Sequence, residues 1–227
     1  MHTLHDRGYK KLFSNPRLFQ QLLESFVKAP WVKDLEFESS EKLDKSFVSD
    51  HYKETESDLI YKVKFQGQEA YIYILIEFQS TVVWFMALRV LHYLTNFWLD
   101  YAESHPKVKK LPPVFPLVLY NGEDPWNAAT DLTALIDRVE LMGECAPQFQ
   151  YFKLAENEYS KETLLQIHNL VSTLFLAEIH YDLDLLKREL LTLFDQESDK
   201  QAISLLLNWF ESLKLSKNTL YDYLFPI

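Results

Sequence analysis

Between Asp58 and Gln79 the chain runs through two hydrophobic segments of period two, separated by Gln66-Gly67-Gln68-Glu69. That pattern predicts two antiparallel strands joined by a tight turn. Upstream, Leu18, Phe19, Leu22, Leu23 and Phe26 recur at helical spacing. A helix is therefore expected from Asn15-Pro16 to about Lys28, with proline at its first position. Downstream the pattern turns helical again from about Val82 to Ser104, and His105-Pro106 ends it. Val114 to Tyr120 reads as a buried strand entering an Asn121-Gly122 turn, and Gln148 to Leu154 as a further strand. From Tyr159 the chain reads as short amphipathic helices. The first carries Leu164, Leu165, Ile167, His168 and Val171; the others span Leu183 to Phe194, Ala202 to Leu213 and Thr219 to Leu224. Ser160, Asp182, Asp199 and Ser216 are their expected caps. The organisation predicted is an α/β domain over residues 1–155 and a helical extension over 156–227.

Composition narrows this picture. With 227 residues, 48% hydrophobic and only 4 glycines, the chain is a folded protein with one main core, not a disordered or fibrous one. One cysteine, Cys145, excludes an internal disulfide framework and a thiolate metal cluster. The opening Met-His-Thr-Leu-His-Asp is not a basic-then-apolar leader, and the most apolar stretch, Tyr71 to Ile76, is too short to span a bilayer. A cytoplasmic setting without a membrane partner is expected. Walker-type loops, Rossmann fingerprints and HExxH motifs are absent, so no nucleotide cofactor is expected. The net charge of −10 sits entirely in the second half: residues 1–111 hold 15 basic and 15 acidic side chains, residues 112–227 hold 8 and 18. The acidic half is a poor surface for phosphates, and the neutral half stays eligible.

The hairpin carries the chemistry. A Gly67-Gln68 turn of type II′ pairs residues whose numbers sum to 135. Leu59 then faces Ile76, Tyr61 faces Ile74, Val63 faces Ile72 and Phe65 faces Ala70, an apolar face that packs on the core. The other face pairs Lys64 with Tyr71, Lys62 with Tyr73, Ile60 with Leu75 and Asp58 with Glu77, with Glu56 opposite Gln79 one step on. Opposed acids of this kind either share a cation or splay into water, and a slipped register separates them. Two hard oxygen ligands at a sheet end suit Mg²⁺ or Mn²⁺. The residues alone leave both outcomes open.

Asp58 followed by Glu77-Phe78-Gln79 on a hydrophobic strand resembles the PD-(D/E)XK nuclease signature, with glutamine in place of the usual lysine. Further blocks sharpen the resemblance: His5 to Pro16, Asp58-Leu59-Ile60-Tyr61, Ile74 to Ser80, and Pro116 to Gly122 with Pro125-Trp126. Together, over roughly residues 2–140, they resemble the recombination-promoting nucleases, also known as YhgA-like transposases. The resemblance implies a restriction-endonuclease-like α/β/α core with a mixed sheet, plus the helical C-terminal extension, and metal-dependent hydrolysis of DNA. Asp58, Glu77 and the backbone carbonyl of Phe78 would hold Mg²⁺ or Mn²⁺, with Glu24 as an additional acid. Gln79 would orient the attacking water through a hydrogen bond, without the positive charge of lysine. The helix after Gln79 would lie beside the site, so Arg89 and Tyr93, four apart, would meet a phosphate there; Lys62 and Lys64 share the sheet face of Asp58.

Several residues admit plainer roles. Arg89 can equally pair with a nearby acid; His92, His168, His180 and the Tyr120-Asn121-Gly122 corner read as structural. Lys10, Lys11, Arg7 and Arg17, and separately Lys107, Lys109 and Lys110, form modest basic patches of the kind that is usually a solvated surface. Two other functions remain open: a non-catalytic interaction module on the nuclease fold, favoured by the low basic charge and the missing lysine, and an RNase or toxin with the same chemistry. A homodimer would let two sites cut two strands.

Overall fold

The computed structural model describes residues 2–43, 59–66, 68–180 and 182–212. Asp58, Glu56, Gly67 and the expected helix Thr219 to Leu224 with its cap Ser216 lie outside the described residues. The chain divides into two compact units: residues 1–6 with 34–155, and residues 7–33 with 156–227.

Among the described residues the first unit is built on a five-stranded mixed sheet. Its strands are β1 (Leu35–Leu43), β2 (Leu59–Phe65), β3 (Gln68–Gln79), β4 (Val114–Tyr120) and β5 (Phe152–Ala155), in the spatial order β1-β2-β3-β4-β5. β1, β2 and β3 are antiparallel neighbours, whereas β4 runs parallel to β3 and β5 parallel to β4. The parallel step from β3 to β4 needs a crossover, supplied by helix α3 (Met86–Ser104). Its inner face, Met86, Ala87 and Val90, packs with Val118, Tyr120, Trp126, Leu132 and Tyr151 into a core on β4.

The hairpin register matches expectation from Leu59↔Ile76 to Lys64↔Tyr71. At the turn it departs: Phe65 pairs with Gln68 instead of Ala70. Gln66 takes a positive φ of 50°, as the tight hairpin turns require at their first central position. Gln68 therefore belongs to the strand, and the loop starts one residue earlier than predicted. Helix α3 likewise begins at Met86 instead of Val82, because residues 80–85 form the turn that leaves β3.

The second unit is helical. Helix α2 (Pro16–Phe26) starts as predicted, with Asn15 Oδ1 accepting from the backbone N–H groups of Arg17 at 2.9 Å and Leu18 at 3.1 Å. Around it lie the Arg7–Phe13 part of helix α1 (His2–Phe13), α4 (Lys161–Ile167), α5 (Leu170–Ile179), α6 (Leu183–Gln196) and α7 (Lys200–Ser212). α5 is the centre, buried at every position from Leu170 to Ala177 and packed against α2, α4, α6 and α7. The first predicted C-terminal helix does not run through to Val171. His168 adopts the left-handed conformation with φ 50°, and Asn169 opens α5 with a capping box to Ser172.

Residues 7–33 group with the helices from Glu156 onward, not with the sheet. The cause is the apolar face of α2: Phe26 meets Phe175 at 4.7 Å and Tyr159 at 5.2 Å between ring centroids. Polar contacts act in the same direction. Glu197, buried, accepts from Arg17 Nε at 3.0 and 3.2 Å and from Gln21 Nε2 at 2.9 Å, and Gln21 Oε1 accepts from Leu170 N at 2.9 Å. Arg17 is thus committed to an internal ion pair, which removes it from the basic patch read in the sequence.

Candidate active site at the carboxyl edge of the sheet

β3 outruns its partner β2 among the described residues. Beyond Leu59↔Ile76, the described pairs of its last residues are with β4: Glu77↔Val118, Phe78↔Leu119 and Gln79↔Tyr120. Ligands of α/β proteins commonly bind at the carboxyl ends of parallel strands, and β3, β4 and β5 all end here. Gln79 is only 8% exposed, and its carbonyl accepts from Asn121 N at 3.0 Å, which fastens the turn after β4 to the end of β3. Asp58, expected opposite Glu77, lies outside the described residues, as its chain neighbour Leu59 begins β2.

The corner after β4 is fixed by packing. Tyr120 donates its hydroxyl proton to Asp124 O at 2.7 Å and meets Trp126 edge-on at 4.9 Å. A Cβ on Gly122 would lie 2.3 Å from the Tyr120 hydroxyl oxygen, so only glycine fits. Trp126 Nε1 in turn donates to Ala128 O and to the Tyr151 hydroxyl, both at 3.1 Å. These contacts account for Tyr120, Gly122 and Trp126. They do not account for Asn121, whose Oδ1 is buried without a hydrogen-bond partner. A buried acceptor left unmade costs about 1–3 kcal/mol. The corner thus holds an oxygen that the fold leaves unsatisfied, in a turn fastened to the end of β3.

The remaining candidates divide by element. Arg89 and Tyr93 share a face of α3, where Arg89 Nε donates to the Tyr93 hydroxyl at 2.5 Å and the guanidinium lies 5.5 Å from the ring centroid. Lys62 and Lys64 stand opposite Glu41 and Glu36 of β1, so an acid neighbours each cation on the same sheet face. Glu24 is exposed on α2 in the second unit and accepts from Gln20 Nε2 at 2.9 Å. His168 bonds Glu189 at 2.7 Å and His180 the Tyr159 carbonyl at 3.3 Å, structural roles in both cases.

A cluster in the second unit escaped sequence reasoning. Tyr9 donates to Glu156 Oε1 at 2.6 Å and Trp209 Nε1 donates to Glu178 Oε1 at 2.7 Å, while Glu156 Oε2 is buried without a partner. Burial pushes the Glu156 pKa well above the usual carboxylate range; the nearby Glu178 charge adds to this and the Tyr9 hydrogen bond opposes it. Burial, then Glu156 and Glu178, push Tyr9 upward as well. Four residues separated by up to 200 positions leave no local pattern to read. A pH effect follows. A raised carboxyl pKa contributes stability that is complete below the unfolded-state value, about 4.3, and is lost as pH rises toward the folded value. Glu156→Gln keeps an acceptor for Tyr9 and never ionises. Its melting temperature is expected to match the natural protein at pH 4 and to exceed it by several degrees at pH 8. Parallel melting curves at both pH values would show Glu156 to be ionised in the fold.

The chain is thus an α/β protein whose mixed sheet carries acid and amide groups at its carboxyl edge. The sequence model of the family described as "Putative transposase, YhgA-like" matches residues 3–204, and the chain belongs to that family. Among curated proteins it is similar to recombination-promoting nuclease RpnA of Escherichia coli K12, 33% identical over 55% of this chain and 42% of RpnA. It is also similar to recombination-promoting nuclease RpnC of the same strain, 25% identical over 86% of this chain and 65% of RpnC. The inactive recombination-promoting nuclease-like protein RpnE, from that strain too, is 27% identical over 52% of this chain and 39% of its own length. Each match covers less than two thirds of the relative. No solved structure matches the chain. Among the described residues no helix is long and apolar enough to cross a membrane.

Proposed function

We propose that this protein is a divalent-metal-dependent endonuclease that hydrolyses DNA phosphodiester bonds on a restriction-endonuclease-like core. The observation that carries this is the hairpin register: Leu59 lies opposite Ile76, so the chain neighbours of that pair are the two acids Asp58 and Glu77, with Gln79 two residues further on. The relatives named as recombination-promoting nucleases support the same chemistry. Asp58, Glu77 and the Phe78 carbonyl would hold Mg²⁺ or Mn²⁺, and the bound metal would polarise the scissile phosphate and acidify the attacking water. Gln79 orients that water by hydrogen bonding. Arg89, steadied by Tyr93, offers its fork to a phosphate, and Lys62 and Lys64 add positive charge on the hairpin.

A second reading, a nuclease fold kept for binding without catalysis, is favoured by the relative named as inactive and by glutamine at position 79. The two separate on incubating purified full-length protein with supercoiled plasmid and Mg²⁺ or Mn²⁺, beside an EDTA control and Asp58→Ala. Nicking or linearisation that needs both metal and Asp58 is the expected result. A folded protein that neither cuts nor binds metal would leave the binding module as the function.

A further inference from the structure

The turn between β3 and α3 exposes Trp84 (58%), Phe85 (55%) and, one turn into the helix, Leu88 (54%). They are not surplus from an incomplete core, because α3 already buries Met86, Ala87, Val90, Tyr93, Leu94 and Phe97 on its other side. A single exposed leucine is ordinary, whereas a tryptophan and a phenylalanine adjacent in one exposed turn are not. Their position is constrained by the chain itself. Trp84 follows Gln79 by five residues, so its Cα lies within about 18 Å of the strand end that carries the candidate site.

The surroundings of the two rings indicate what they meet. The first turn of α3 has no acidic residue and Phe85 supplies no side-chain cap, which leaves the helix start favourable to an anion. Arg89 stands one turn from Phe85, its backbone N–H bonded to Phe85 O at 3.0 Å. Flat rings beside anion-binding groups match a strand of nucleic acid, whose bases stack on aromatics while its phosphates take the cations. A base inside a duplex has both faces covered by its neighbours and cannot use such a shelf.

We propose that Trp84 and Phe85 form a stacking platform for unpaired bases at the edge of the active site, so that the preferred ligand is single-stranded or locally unwound DNA. This deepens the nuclease reading and rests on it for the identity of the ligand. The platform is tested by fluorescence anisotropy in EDTA, where cleavage cannot occur. Full-length protein, Trp84→Ala/Phe85→Ala, Trp84→Phe and Asp58→Ala are titrated against a labelled 20-mer, single-stranded and as duplex. Single-strand affinity is expected to fall about tenfold per ring removed, with duplex affinity unchanged. Trp84→Phe should keep most of the affinity, and melting temperatures should not move, because both rings are exposed.

Unchanged single-strand affinity in the double variant, or an equal loss for duplex, would overturn the platform. A double variant that binds DNA normally but sediments as a smaller species would assign the patch to a second copy of the chain and overturn it too. The nuclease reading fails separately: Asp58→Ala that still cuts plasmid removes the hairpin site but leaves the platform standing if the ring variants lose single-strand affinity. A natural protein that binds neither DNA form removes both.

Discussion

Glu77→Gln is expected to reduce plasmid cleavage about a thousandfold while leaving the protein folded. The exchange preserves size and removes one negative charge from the proposed donor set. Loss of metal-based charge stabilisation is worth several kcal/mol in the transition state, and each 1.36 kcal/mol is a factor of ten. Gln79→Ala should lose less, about a hundredfold, since only the orientation of the water is affected. The order of the two effects is itself informative. Initial rates of supercoiled-plasmid loss, with Mn²⁺ binding measured in parallel by electron paramagnetic resonance, read both variants. Glu77→Gln that cuts and binds Mn²⁺ like the natural protein would remove β3 from the chemistry altogether.

Gly8→Ala is expected to destabilise the second unit by about 3 kcal/mol, near the upper end of typical overpacking costs. A Cβ at Gly8 would fall 1.9 Å from a carbon of the Trp209 ring, with two further ring carbons at 2.4 and 2.6 Å. The indole must then shift, and it is anchored twice: edge-on to Tyr9 at 5.8 Å and by its Nε1 bond to Glu178. At roughly 2–4 °C per kcal/mol for a chain of this size, the melting temperature should fall by about 6–12 °C. Combining Gly8→Ala with Trp209→Leu should cost less than the two single changes added, because the smaller side chain makes room for the methyl group. A drop below 2 °C for Gly8→Ala alone would show that the indole is not held there.

Legibility in the sequence followed the local strength of each signal. The hairpin register could be read from period-two alternation, because a slip of one residue would expose Leu59, Tyr61, Val63 and Ile76, all buried. β1 could not. Its sequence Leu-Glu-Phe-Glu-Ser-Ser-Glu-Lys-Leu is polar and its pairing with β2 shifts between Glu36 and Glu41; its strand character comes from the neighbour that it pairs with. α5 was hidden for the opposite reason. It is apolar on all sides, so it has no helical period to detect. The apolar face of α2 announced that it would be buried, yet nothing local identified α5 as what buries it. At the site, Gln79 was legible as the end of a strand. The unsatisfied oxygen of Asn121 was not, since hydrogen-bond satisfaction depends on every group around the atom. The exposed pair Trp84 and Phe85 was absorbed into a helix predicted to start at Val82.

The order in which the chain alternates between its two units bears on how it is made. Residues 7–33 belong with partners that begin at Glu156, while the whole sheet lies between. On a ribosome adding about 5–20 residues per second, α2 emerges some 7–29 seconds before α4 does. Throughout that interval Leu18, Phe19, Leu22, Leu23 and Phe26, all fully buried in the finished protein, have no native surface to cover them. The sheet unit, in contrast, has all of its residues at hand once Ala155 is out. Synthesis thus imposes a sequence of events that the finished molecule conceals: residues 34–155 are free to fold first, and the apolar helix before them must wait, uncovered, for the helices that follow Ala155.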